Sequence, residues 1–246
     1  MSIETDLESV KKAAKALLNV PYIKTEYSPM IIIHPFTKSG IVALPLEEYM
    51  LVDITRSKHE FDSWKEFMAA QIDFCDDVNH IFYLLNDSYR LMFVSDVSKF
   101  LSSEDFYKLL GDAWVENENA NEDVNVSKRE MLEIFRNADK EALMSESELD
   151  AYNDLDDVLI VYRGVSTEKK ERIEALSWTI SFGKAKWFAD RWGDSGAVYS
   201  ATINKQDVLA YFDRKGEDEV IIDFTKLQNV KEVTKPQPKP EPQEMQ

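Results

Sequence analysis

The chain has 246 residues, of which 44% are hydrophobic and 11% aromatic, enough for one large domain or two smaller ones around an apolar core. No apolar run approaches the roughly 18 residues of a membrane-spanning helix, so we expect no membrane segment. The first 160 residues carry 15 basic and 32 acidic side chains, which accounts for the whole net charge of -17. An acidic surface repels phosphates and argues against general nucleic-acid binding.

The N-terminal segment MSIETDLESVKKAAKALL has acids before its first basic residue and no uninterrupted apolar stretch. We therefore expect neither a secretory signal nor a transit peptide, and a cytoplasmic location. The one cysteine, Cys75, excludes an internal disulfide, and its apolar surroundings favour a packed thiol over a nucleophile. The three histidines are scattered, so we predict no metal site.

Residues 1–104 are predicted to form a mostly helical region with a small β element and no recognisable chemistry. The periodicity predicts helices over Ser2–Leu18 and Phe61–Leu85, the second with an apolar stripe of Trp64, Phe67, Met68, Ile72 and Phe74 or Cys75. Between them, MIIIHPF and GIVALPL are short β-branched runs separated by TKSG, which indicates two strands and a turn.

Three further helix starts follow, each marked by a capping residue. Ser102 and Ser103 precede a helix that we expect to end near Trp114, Ser127 with Glu130 forms a plausible capping box, and Ser145 or Ser147 caps a third helix. After these, the pattern changes to strands (DVLIVYRGV, ALSWTIS, AVYSATI, DVLAYF and DEVIIDF), with GKAKWFADRW as a short helix. The proline-rich residues 231–246 are predicted to be a disordered tail.

Two strand motifs in this part contain groups suited to ligand binding. Arg163 and Gly164 end the strand LIVYRG, where a planar guanidinium fits a phosphate and glycine allows close approach to the backbone. The alternative for Arg163 is a plain ion pair. In SWT, strand alternation puts Ser177 and Thr179 on one face and Trp178 on the other, although an ordinary threonine-containing strand has the same pattern.

A third motif, RKGEDEVIIDF, has three carboxylates directly before an apolar strand. Such a charge run is usually a solvated turn. If the strand pattern extends through the acids, Glu217 and Glu219 share one face and Asp218 points to the other, so that two carboxylates face one space.

Arg-Gly, Ser-x-Thr and Glu-x-Glu in this order resemble the motifs of the arginine-serine-glutamate type of mono-ADP-ribosyltransferase. The segments LSWTISFGKAKWFADRW and DVLAYFDRKGEDEVIID resemble phage and bacterial proteins predicted to have that fold, and the likeness extends back through DAWVENENANEDVN. The resemblance implies an α+β protein with an ADP-ribosyltransferase-like split β-sheet core with helices over residues 105–230. For a phage-encoded protein, it implies a location in the host cytoplasm.

The resemblance also implies the substrate, NAD, and the role of each site residue. Glu219 would stabilise the positive charge that develops on the ribose, and Ser177 would hold Glu219 in place. Arg163 would bind the pyrophosphate, and Gly164 would bind the nicotinamide carboxamide through its backbone. Ser177 and Thr179 would lie in the same NAD-binding site. Phe182 would stack on nicotinamide, with core packing as the alternative. Trp178 and Trp187 are assigned to the core.

Glu217 is the residue that bears on the acceptor. Families with Glu-x-Glu commonly modify arginine, so the expected reaction transfers ADP-ribose from NAD to an arginine of a protein and releases nicotinamide. An NAD glycohydrolase and a catalytically silent interaction protein are the alternatives. The sequence departs from the family pattern in two ways: Trp178 replaces the usual middle Thr of Ser-Thr-Ser, and no extended acceptor-recognition loop is visible between Ser181 and Glu217.

Overall fold

The computed structural model describes residues 4–45, 49–165, 173–191 and 196–237, and it divides the chain into two compact units, residues 1–117 and 118–246. The division lies later than the predicted boundary after residue 104. The reason is that helix α5 (Ser103–Glu116), expected in the second domain, packs against helix α4 (Asp87–Val97) of the first unit.

In its described residues, the N-terminal unit contains α4, α5 and three more helices: α1 (Leu7–Leu17), α2 (Lys58–Phe74) and α3 (Val78–Leu84). The prediction of one helix over Phe61–Leu85 is wrong, because α2 ends at Phe74 and the Asp77 side chain caps a new helix. Trp64, Met68 and Ile72 are buried as predicted, whereas Phe74 is 90% exposed. Ser102 caps α5 as predicted.

The β element of this unit consists of short antiparallel strands in two small sheets. The strands β1, β2 and β3 form one sheet and β4 and β5 form the other, with bounds β1 Ile23–Lys24, β2 Ile31–His34, β3 Thr37–Ser39, β4 Ile41–Pro45 and β5 Tyr49–Asp53. The two predicted runs correspond to β2 and β4. The other three strands, β1, β3 and β5, were not predicted from the sequence.

Two helices of the C-terminal unit begin where the capping serines predict. Ser127 accepts a hydrogen bond from the Glu130 N–H, and Ser145 forms a full capping box with Glu148. The bounds are α6 Lys128–Arg136, α7 Lys140–Leu143, α8 Glu146–Asn153 and α9 Phe182–Asp190.

One antiparallel sheet is the centre of this unit. Its strand order is β11-β8-β6-β7-β10-β9, with bounds β6 Val158–Val165, β7 Ser177–Thr179, β8 Ala197–Asn204, β9 Val208–Phe212, β10 Glu219–Ile222 and β11 Gln228–Val233. Helix α9 packs on β6, β7 and β8, whereas α6, α7 and α8 pack against β9. The protein therefore combines α and β structure, with a C-terminal antiparallel sheet covered by helices.

Strand β11 corrects the predicted start of the tail at residue 231. Lys231, Glu232 and Val233 pair with β8, so the ordered chain continues beyond that point. The backbone N–H of Gln237 then donates to the Tyr162 hydroxyl at 2.9 Å. The rest of the predicted tail, residues 238–246, lies outside the described residues. In the part of the chain that the structure describes, no helix is long and apolar enough to cross a bilayer.

Candidate active site

The three motifs singled out in the sequence lie on three neighbouring strands. Arg163 and Gly164 are near the end of β6, Ser177 and Thr179 are on β7, and Glu219 is the first residue of β10. Because the sheet order is β6-β7-β10, segments that are distant in the sequence become adjacent in space. These three segments define the candidate active site.

The pairing register puts the glutamate beside the Ser-x-Thr strand. Glu219 is opposite Thr179, and Thr179 is opposite Tyr162 on β6. Directly opposed residues of antiparallel strands point to the same face, so these three side chains share one face of the sheet. Ser177, opposite Ile221, is on the same face, in agreement with the predicted alternation along β7.

The sheet is split between β6 and β7. Within the described residues, β6 pairs with β8 from Val158 to Val165, whereas it pairs with β7 only at Tyr162 and Thr179. The Arg163 side chain bridges the split, and its Nη1 donates to the Ser177 carbonyl oxygen at 2.5 Å. Burial lowers the pKa of Arg163 to about 10, and the negative charge of Glu219 acts in the opposite direction. Arg163 therefore stays protonated at neutral pH, within electrostatic reach of Glu219.

The predicted strand alternation through Glu217, Asp218 and Glu219 is wrong. Strand β10 begins only at Glu219, and Asp218 has a positive φ of 48°, outside the extended conformation. A backbone reversal of this kind breaks the two-residue period, so strand alternation does not determine the direction of Glu217. All three acids are partly buried, which also excludes a fully solvated turn.

The segment before Glu219 is attached to β7 on one side. The Thr179 hydroxyl, 5% exposed as a residue, donates to the Glu217 carbonyl oxygen at 2.8 Å and accepts from the Ser181 N–H at 3.1 Å. The Ile180 N–H donates to the Asp218 carbonyl oxygen at 3.2 Å. The Thr179 hydroxyl thus holds the backbone that leads into Glu219, and its role in the NAD-binding site stays a prediction.

The same segment is also attached to β9. The Tyr211 hydroxyl donates to Asp218 Oδ1 at 3.1 Å, and Asp213 Oδ1 accepts from the Asp218 N–H at 3.1 Å. Burial raises the pKa of Tyr211, and its bond to the Asp218 carboxylate raises it further. The turn is therefore held through both the backbone and the side chain of Asp218.

Two arginine–carboxylate pairs lie at the two ends of the Glu219 segment. Before it, Glu148 of α8, 4% exposed, accepts from Arg214 Nε at 3.2 Å. After it, Asp223, 5% exposed, accepts from Arg136 of α6 through Nε at 3.0 Å and Nη2 at 2.8 Å. These pairs anchor β10 to the helices next to β9.

The predicted nicotinamide-binding residues adjoin helix α9. A side chain on Gly164 would lie 1.9 Å from the Ala185 carbonyl oxygen, so glycine is needed here for the strand to pack on the helix. Phe182, the first residue of α9, is partly buried and meets the Tyr162 ring edge to face, with centroids 5.6 Å apart. Trp178 is buried as predicted, whereas the assignment of Trp187 to the core is wrong because it is 60% exposed.

Two residues near the split were missed by the sequence analysis. Asn121 accepts hydrogen bonds from the N–H groups of Leu176 and Ser177 at 2.9 and 3.1 Å. Lys128 donates to the Glu174 carbonyl oxygen; burial lowers its pKa, and so does the nearby charge of Arg163. Asn121 falls in the segment DAWVENENANEDVN, where the family resemblance was the available signal.

Comparison with models of protein families, with curated proteins and with solved structures found no match for this chain. The residues of the candidate active site are therefore the basis on which a function can be proposed.

Proposed function

We propose that the protein is an NAD-dependent mono-ADP-ribosyltransferase that transfers ADP-ribose to an arginine side chain of a protein and releases nicotinamide. In this proposal, the C-terminal unit has the split-sheet fold of that enzyme class. The observation that carries the proposal is the adjacency of the Arg-Gly, Ser-x-Thr and Glu strands in one sheet, with Arg163 across the split and Glu219 close enough to affect its pKa.

The chemistry of NAD cleavage supports these roles. The bond between ribose C1′ and the nicotinamide nitrogen breaks, its electron pair leaves with nicotinamide, and positive charge develops on the ribose. In the proposed complex, the Glu219 carboxylate opposes that charge, and Arg163 donates to the pyrophosphate, for which its planar fork is suited. Gly164 binds the carboxamide through its backbone, and Ser177 positions Glu219. Phe182, the first residue of α9, lies beside Tyr162 of β6 and packs against the nicotinamide ring in the proposed complex.

The second half of the reaction needs a nucleophile. A guanidinium nitrogen of the acceptor arginine attacks C1′, and the proton it loses passes to Glu217 and then to water. A carboxylate also pairs well with an arginine side chain, which supports Glu217 as the acceptor-facing residue. The partial burial of Glu217 and the bond from Thr179 to its carbonyl support a fixed position for it.

The acidic excess of residues 1–160 supports a basic protein as acceptor. Electrostatic docking of this type weakens as salt screens the charges. We expect modification of the target to fall with rising salt while NAD hydrolysis by the same enzyme stays constant. Modification that is insensitive to salt would contradict this choice of partner.

The test of the activity is incubation with NAD labelled in its adenylate part, with and without a cell lysate. Label on protein identifies a transferase, free ADP-ribose alone identifies an NAD glycohydrolase, and no turnover identifies a binding protein. Removing one preorganised electrostatic group lowers the rate of a reaction by about 10²- to 10³-fold. We therefore expect Glu219→Gln to release nicotinamide more slowly than the wild type by that factor. Equal turnover by Glu219→Gln and the wild type would refute the site assignment.

Glu217→Gln is the matched variant, since it makes the same change two residues away. It should lose transfer to arginine and keep NAD hydrolysis, because its proposed contact is with the acceptor and not with the ribose. Equal loss of both activities would show that Glu217 acts in NAD cleavage instead.

A further inference from the structure

The split between β6 and β7 leaves part of the β7 backbone without its usual strand partner. Two backbone hydrogen bonds show which residues at β7 direct their N–H and C=O groups toward β10. They run from the Ile180 N–H to the Asp218 carbonyl oxygen at 3.2 Å and from the Ile222 N–H to the Leu176 carbonyl oxygen at 2.9 Å. Neighbouring residues of a strand direct their N–H and C=O groups to opposite sides. The polar backbone groups of Ser177 therefore face β6.

Among the residues that the structure describes, two side chains satisfy these groups of Ser177 in place of a neighbouring strand. Its C=O accepts from Arg163, and its N–H donates to Asn121 Oδ1. Leu176 precedes β7, and its N–H does not follow the strand alternation: it donates to the same Asn121 oxygen. One carboxamide group therefore holds two consecutive amides at the start of β7. Asn121 itself is on a short 3-10 turn, Ala120–Glu122, whose first residue is buried.

We infer that Asn121 is a positioning residue of the active site: it occupies the β6-facing edge of β7 at Ser177 and so keeps the sheet split where the ligand enters. This inference rests on the proposed function. Without the Asn121 oxygen, the two amides are left unpaired in a partly buried place, which is costly unless β7 moves. Movement of β7 displaces Ser177 and, through it, Glu219.

The effect should be on the chemical step more than on NAD binding. Arg163 is on β6, which is paired with β8 along its whole length, so its backbone keeps its place when β7 moves. Only the bond from its side chain to the Ser177 carbonyl is affected directly. Glu219 depends on β7 through the pairing with Thr179. A misplacement of about 1 Å in a catalytic group costs up to about 10²-fold in rate.

The experiment compares three variants of the full chain. Asn121→Leu keeps the size and removes the acceptor, Asn121→Asp keeps an acceptor oxygen, and Asn153→Leu makes the same change at an exposed residue of α8. Two quantities are measured: steady-state nicotinamide release as a function of NAD concentration, and hydrogen exchange of the Leu176 and Ser177 amides.

Asn121→Leu should lower kcat by about 10- to 100-fold while KM for NAD changes by less than about threefold, and exchange at both amides should accelerate by at least about tenfold. Asn121→Asp and Asn153→Leu should behave like the wild type.

An unchanged kcat or unchanged exchange in Asn121→Leu overturns the inference, as does an Asn121→Asp variant that is equally impaired. If Asn121→Leu does not fold, Asn121→Asp still tests the inference, because it conserves the oxygen that accepts from the Leu176 and Ser177 amides. A wild type without NAD turnover refutes the proposed function and the inference together, whereas an active wild type with an unaffected Asn121→Leu refutes the inference alone.

Discussion

The two units differ in how they use buried polar side chains. Among the described residues, the N-terminal unit buries one such side chain, His34, whereas the C-terminal unit buries four: Glu148, Thr179, Ser200 and Asp223. His34 lies between aromatic rings, with its centroid 5.0 Å from that of Trp64 and 5.7 Å from that of Phe61. Three of the four in the C-terminal unit hold the chain before or after Glu219.

This difference shows where the fold uses fixed polar contacts. A buried ion pair contributes little net stability compared with apolar packing, but it fixes a geometry. In the C-terminal unit, the pairs of Glu148 with Arg214 and of Asp223 with Arg136 lie at the ends of the turn and strand that carry Glu219. The N-terminal unit has aromatic packing around a neutral imidazole instead.

The largest effect on stability in this comparison is expected for His34. Burial lowers its pKa to about 4, and the carbonyl groups of Leu18 and Val20 oppose this in part. Because the folded pKa is below the ordinary value of 6.5, the unfolded chain binds the proton first as the pH falls. The contribution of the neutral His34 ring to the free energy of unfolding is complete above about pH 6.5. It decreases toward pH 4, by about 3 kcal/mol in total.

Urea unfolding at pH 7.5 and pH 4.5 measures this loss. Carboxylates also titrate in that range, so the contribution of His34 is the difference between the wild type and His34→Leu, which lacks the ionisable ring. His59→Leu, at an exposed position of α2, is the control and should keep the wild-type dependence. Identical pH dependence in the wild type and His34→Leu would mean that the ring is not buried as described.

The next effect concerns the pair that follows β10. Arg136→Met should lower the free energy of unfolding, because it leaves the Asp223 carboxylate buried with fewer partners. The partial exposure of Arg136 to solvent reduces the size of this loss. Arg129→Met, on the exposed side of the same helix, should change it by less than about 0.5 kcal/mol. Thermal or urea unfolding measures both changes. Equal effects of the two substitutions would mean that the pair of Arg136 with Asp223 contributes no more to stability than an exposed arginine of the same helix.

The smallest effect is expected for Thr179→Val, which keeps the shape and removes the hydroxyl. Loss of the bond to the Glu217 carbonyl should cost about 1 kcal/mol of stability. It should also lower the ratio of transfer to hydrolysis, since the proposed acceptor-facing residue is then less well fixed. An unchanged ratio, measured with labelled NAD and a peptide that contains arginine, would contradict the positioning role of Thr179.

Local signals predicted the elements around the candidate site well. Ser102, Ser127 and Ser145 cap helices as predicted, because capping depends on residues three positions apart. The strands that carry Arg163 and Ser177 were also predicted, because β-branched and aromatic runs mark buried strands. For these features, the decisive information lies within a few residues of chain.

The errors arise where a distant contact or a single backbone angle decides. The positive φ at Asp218 is held by Asp213 and Tyr211, and no pattern in GEDE reveals it. The role of Asn121 depends on amides more than 50 residues away along the chain. The break between α2 and α3 had a local signal, Asp77 as a helix cap, but the continuous apolar period concealed it.

The two outer strands of the C-terminal sheet differ in a way that matters for self-association. β9 is buried at every position, with helices α6, α7 and α8 against it, whereas β11 is exposed at five of its six positions. An exposed edge strand is a template for strand addition and for aggregation, and charged residues such as Lys231 and Glu232 counteract both. We therefore expect any sheet extension to start at β11, and we expect substitutions that neutralise Lys231 and Glu232 to make concentrated protein more prone to it.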